Sequence, residues 1–120
     1  MATSKRKVKI NRIPAVEKPT LREKKVEERI CKRAKEHKGT AYKFTSPGRR
    51  SVPDRLLVCP CIDSEYAPVF VEAKRPGEAP TDPQAREHKK LRDRGATVFV
   101  ADTYESVDFV FDTICDGTCK

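Results

Sequence analysis

No stretch of this 120-residue chain approaches the ~20 consecutive apolar residues that a membrane span needs. No apolar segment stands behind the basic N-terminus, so a secretory signal is not expected. A chain that is not exported keeps its cysteines reduced, and its five are expected as thiols in a cytoplasm. Internal repeats and low-complexity tracts are also missing, which excludes a solenoid or an array. Apolar residues are scarce at 37 %, matched by 37 % charged residues, so there is material for one small core and short extensions. Acidic residues are the other shortage: 18 against 26 basic ones, a net charge of +8.

The charge is unevenly placed. Residues 1–55 carry a balance of +12 and residues 56–120 a balance of −4. Such asymmetry points to a polyanion, most simply nucleic acid, although Lys5, Arg6, Lys7, Lys9 and Arg12 would also suit a solvated tail. Phosphate contacts from such residues supply affinity without sequence information. Residues 1–19, with Pro14 and Pro19, read as a flexible basic arm, and residues 20–120 as the folded domain.

Thr20-Leu21-Arg22-Glu23 fits a capping box, opening a helix over about 21–38 with Gly39 as its stop. Val26, Ile30 and Ala34 repeat every four residues and form its buried stripe. Strands are expected over 41–45, 55–59 and 69–74, separated by the loop Ser46-Pro47-Gly48-Arg49-Arg50 and by a turn region at 60–68. Asp82 as N-cap and Pro83 at the first position begin a second helix that Gly95 ends. Residues 97–101 are a continuous apolar run and read as a buried strand. A third helix starts near Thr103 with Val107, Val110, Phe111 and Ile114 as its core face. The order is α-β-β-β-α-β-α, an α/β fold with helices on a mixed sheet.

Chemistry concentrates in mid-chain. Residues two apart in a strand share a face, so Glu72 and Lys74 lie together, opposite in sense to Val71 and Ala73. If the second and third strands form a hairpin centred near Asp63, Asp54 stands across from Glu72. Directly opposed like charges destabilise a strand pair, so two carboxylates there call for a cation between them. Glu27, beside the apolar stripe, is preferred as a third carboxylate, because the capping box already employs Glu23. Three carboxylates suit Mg²⁺ or Mn²⁺, and Lys74 would orient or deprotonate a water, or stabilise developing charge. Arg49 and Arg50 precede Asp54 and suit a DNA backbone, with Lys43 and Arg55 placed in the same group. Gln84 either serves this site or caps its helix; His88, one turn on, reads as structural or DNA-facing. Structural zinc is not expected: Cys59-Pro60-Cys61 is too short a pair, and Cys115-x-x-x-Cys119 fits only loosely.

These residues resemble the VRR-NUC domain of the PD-(D/E)XK nuclease superfamily, in its stand-alone phage and bacterial form. The likeness spans residues 25–110 and rests on Tyr42-Lys43-Phe44-Thr45-Ser46-Pro47-Gly48-Arg49-Arg50, Val52-Pro53-Asp54-Arg55-Leu56, Phe70-Val71-Glu72-Ala73-Lys74-Arg75-Pro76-Gly77, Pro80-Thr81, Gln84, Glu87-His88 and Leu91-Arg92-x-x-Gly95. Ser51 stands where related sequences often carry glycine. The resemblance implies a restriction-endonuclease-like core and a Mg²⁺- or Mn²⁺-dependent endonuclease for branched, Holliday-junction-like or flapped DNA. It implies metal ligation by Asp54, Glu72 and the Ala73 carbonyl. Lys74 would be the catalytic lysine, Glu27 (otherwise Glu23) the helical glutamate, and Gln84 the supporting amide. It also implies a homodimer working in a bacterial or phage-infected cytoplasm. The rival expectation is a DNA-binding module that keeps the fold without catalysis.

Overall fold

The computed structural model describes residues 22–115; the proposed basic arm and the last five residues lie outside them. The elements run α1 (Glu23–Glu36), β1 (Thr40–Lys43), β2 (Arg55–Val58), β3 (Val69–Ala73), α2 (Asp82–Asp93), β4 (Thr97–Ala101) and α3 (Tyr104–Ile114). Strands lie side by side in the order β1-β2-β3-β4, the first two pairings antiparallel and β3–β4 parallel. The expected α-β-β-β-α-β-α order on a mixed sheet is therefore present. Among the described residues, no helix is long and apolar enough to cross a membrane.

Side-chain alternation sorts the two sheet faces. Ala41, Leu57, Val69, Val71 and Ala73 form one core with Val26, Ile30 and Ala34 of α1 and Val107, Val110, Phe111 and Ile114 of α3. Arg29 and Arg33 of α1 both reach Asp108 of α3, tying these helices together at the surface. The other face carries Phe70 and Glu72, and α2 covers it over β3 and β4. That helix leaves the β1–β2 half uncovered, with Tyr42 and Val58 more than half exposed.

Helix ends depart from expectation in three places. Arg22 is the N-cap of α1 and makes no side-chain cap bond, so Glu23 is the first helical residue and not the third residue of a capping box. Thr81, not Asp82, caps α2, in a reciprocal box with Gln84. Lys38, at φ 62°, makes the left-handed turn after α1. Gly39 serves a different need: a Cβ there would collide with the Val58 carbonyl oxygen and the Cys59 Sγ.

Ser51 stands at φ 68°, a left-handed conformation that glycine adopts freely and serine only at a cost. A glycine, which the resemblance leads one to expect at this place, would take this conformation without strain. Ser51→Gly should therefore stabilise the protein by up to about 1 kcal/mol in a thermal melt. An unchanged or lower melting temperature would show that the serine is not strained.

Candidate active site

The β2–β3 register pairs Arg55 with Val71, Leu56 with Phe70 and Leu57 with Val69. Continued by one residue, it sets Asp54 across from Glu72, as the hairpin arithmetic anticipates. Two backbone bonds extend the ladder to this level: the Phe44 amide donates to the Asp54 carbonyl at 2.8 Å, and the Lys74 amide to the Ala101 carbonyl at 2.9 Å. The Asp54 carboxylate accepts from the Ala73 amide at 2.8 Å, which pins it across the strand pair. Pro53 just before it is fully buried and limits the backbone there.

Glu72 is only 2 % exposed. It sits on an interior strand because β3 is flanked on both sides and α2 lies over it. Its Oε2 accepts from the Gln84 side-chain amide at 3.2 Å, and its Oε1 meets His88 Nε2 at 3.4 Å. Burial pushes the Glu72 carboxyl up to about 8, the Asp54 charge and a hydrogen bond shared with Asp54 add to this, and the Lys74 ammonium opposes it. Lys74 itself is nearly buried, at 6 % exposure. Burial, reinforced by the charges of Arg92 and Lys74, pushes the His88 imidazole down. A neutral His88 then donates its Nε2–H to Glu72.

Of Glu23 and Glu27 in α1, Glu23 is the one electrostatically linked to Glu72. Burial and the Asp54 charge raise the Glu23 carboxyl, Lys74 lowers it, and Glu23 in turn raises Glu72. Asp54 and Lys74 thus act on both Glu23 and Glu72. Glu27 is turned to Arg55, whose Nε donates to it at 2.8 Å while Nη1 donates to the Ala41 carbonyl at 3.0 Å. The preference for Glu27 is corrected by this pairing.

The basic residues also divide. Arg49 grips Glu87 of α2 through two bonds of 2.8 and 3.2 Å, and Arg55 is taken by Glu27. Arg55 is half-buried in its pair, whereas Arg49 keeps 47 % of its side chain exposed beside Glu87. Lys43 and Arg50 are exposed. The sequence shows neither the Arg49–Glu87 clamp nor the bond from His88 to Glu72, and it ranks Glu23 below Glu27. His88 had a signal, since it follows Gln84 by four residues and must share its helix face.

The donor set fits a divalent cation. Two facing carboxylates, one buried and held partly protonated by its surroundings, form a hard oxygen site whose conflict a cation would relieve. No protein-family model matches the chain. A protein named "Putative nuclease p44", from Acyrthosiphon pisum secondary endosymbiont phage 1, is 44 % identical over 85 residues, covering 71 % of this chain and 87 % of the relative. A solved structure described as a VRR_NUC domain shares 31 % identity and superposes with a TM-score of 0.65, covering 75 % of this chain and 94 % of that one.

Proposed function

We propose that this chain, which belongs to the VRR-NUC family of nucleases, is a Mg²⁺- or Mn²⁺-dependent endonuclease acting on branched or flapped DNA. The observation that carries the metal-dependent reading is Glu72: a buried carboxylate across from Asp54, with its pKa pushed up to about 8. A group so placed destabilises the fold unless a cation joins it.

Asp54, Glu72 and the Ala73 carbonyl would hold the cation, with Glu23 as the outer carboxylate. When bound, the cation makes water more acidic and neutralises charge building on the phosphate. The chain's own residues do the positioning. Gln84 and His88 fix both oxygens of Glu72, so its orientation is settled before DNA arrives. The Ala73 amide does the same for Asp54. Lys74 sets a positive charge at the end of β3, where it stabilises negative charge on the attacked phosphate. Lys43 and Arg50 are placed to meet the DNA backbone, and the basic residues 1–19 would extend that contact. A second copy of the chain would cover the sheet face bearing Tyr42 and Val58. Two such sites would serve two strands of a symmetric junction.

The test is cleavage of a labelled four-way junction, a flap and a plain duplex, with Mg²⁺, Mn²⁺ or chelator. Metal-dependent cutting that favours the junction or flap is expected. Binding without cleavage of any DNA, by folded protein, would favour the non-catalytic module. Two variants separate the glutamates in the same assay. Glu23→Gln should slow cleavage by about 10- to 100-fold with little change in melting temperature. Glu27→Gln should change cleavage less and lower the melting temperature, because Arg55 loses its partner. The reverse pattern would restore Glu27 to the site.

A further inference from the structure

We propose that His37, Cys61 and Cys115 supply three ligands of a structural zinc site, at the end of the domain remote from Asp54 and Glu72. His37 follows the last residue of α1, whereas Glu23 opens that helix. The helix has 14 residues and is about 20 Å long. The inference does not depend on the nuclease reading.

Three separate segments meet here. His37 comes from the end of α1, Cys61 from the loop after β2, and Cys115 from the end of α3. Cys61 Sγ stands 3.4 Å from His37 Nδ1 and 2.7 Å from Cys115 Sγ, and the three donor atoms lie within 4.8 Å of one another. Tetrahedral zinc separates its donors by roughly 3.5–3.8 Å, given its bond lengths to sulfur and nitrogen. The histidine–cysteine spacing matches, and the thiol pair needs to open by about 1 Å.

The surroundings already hold the ligands in place. The His37 ring stacks on Phe111, with centroids 5.3 Å apart and planes within 7°. Cys61 is 4 % exposed. The Asp63 amide donates to the Ile114 carbonyl at 2.9 Å, and Ile62 bridges Cys115, so the loop and the helix end are stitched together. Thiolates with one imidazole are the soft set that selects zinc over Mg²⁺.

Cys59 is two residues from Cys61, and its Sγ is turned to the Ala34 carbonyl at 3.9 Å. The cysteine spacings do not show this cluster, because His37 lies 24 residues before Cys61 and Cys115 lies 54 residues after it.

The test begins with the metal content of the wild-type chain, purified under reducing conditions without chelator. One zinc per chain is expected. Cobalt replacement should give the thiolate charge-transfer absorption of a tetrahedral site. Cys61→Ser, His37→Gln and Cys115→Ser should each lower zinc at least tenfold, while Cys31→Ser, Cys59→Ser and Glu72→Gln keep it. Strong chelation should lower the melting temperature. Two results on wild-type protein would overturn the site, whatever the variants do. One is a reduced chain that takes up neither zinc nor cobalt. The other is a Cys61–Cys115 disulfide found by alkylation and mass spectrometry. Zinc lost in Cys59→Ser but kept in Cys115→Ser would overturn the ligand set.

Discussion

Glu72→Gln is expected to end cleavage and, in the same protein, to raise the melting temperature in chelator. The first effect follows from removing a proposed metal carboxylate, and should exceed about 10³-fold. The second follows from the carboxyl's raised pKa, about 8 in the fold against an ordinary 4.5. The folded state then binds the proton more tightly than the unfolded chain does. Stability attached to that proton is complete below pH 4.5 and drains away as pH rises towards 8. The loss is on the order of a few kcal/mol for a group this deeply buried. An amide carries no charge to desolvate, so the variant escapes the loss. Its oxygen can still accept from Gln84, and His88 can exchange tautomers to accept from the new amide.

Melts in chelator between pH 5 and 9 should therefore show wild type falling and the variant nearly level, with the widest gap from pH 8 upwards. Adding Mg²⁺ should raise wild type and leave the variant unmoved. A variant that melts below wild type at pH 8 in chelator would show that Glu72 is not under electrostatic strain. Activity and stability opposing each other at one residue is what a preorganised charged site predicts.

Lys74→Ala should lower cleavage by about 10²- to 10³-fold while DNA affinity changes less than tenfold. The side chain is nearly buried at the end of β3, so it has little surface to offer a DNA backbone. Its charge lowers the carboxyls of Glu72 and Glu23. Removing it should push both further up, and the slow variant should work better at higher pH. Extra Mg²⁺ should not restore the rate, because the missing charge belongs to the chemical step. A normal rate would reduce Lys74 to a structural residue. Loss of DNA binding equal to the loss of rate would make it a phosphate contact.

How much of the fold and site is legible in the sequence depends on the range of the interaction. The Val26, Ile30 and Ala34 stripe, the core face of α3 and the opposition of Asp54 to Glu72 all follow from period and hairpin register. The choice between Glu23 and Glu27 does not. They lie one turn apart on the same helix face, so periodicity cannot rank them. What ranks them is how far α1 slides along the sheet, and that is set by packing. A misplaced cap added to the error, because it assigned Glu23 to a box that Arg22 does not open. Arg49 and Arg55 were charged residues near a site, and only the folded chain supplies Glu87 and Glu27 as their partners. The histidine–cysteine cluster spans the chain from residue 37 to residue 115, far beyond any local motif.

Gln84 uses both ends of one amide: its oxygen accepts from the Thr81 backbone at 2.9 Å while its nitrogen donates to Glu72. Neither end is spare. A glutamate at 84 would keep the cap and set a third acceptor against a buried carboxylate; a lysine would satisfy Glu72 and uncap the helix. The proposed cation site therefore cannot be given a positive charge from position 84 without uncapping that helix. An engineer seeking a different metal preference is left with α1, where Glu23 can be altered without disturbing the groups that aim Glu72.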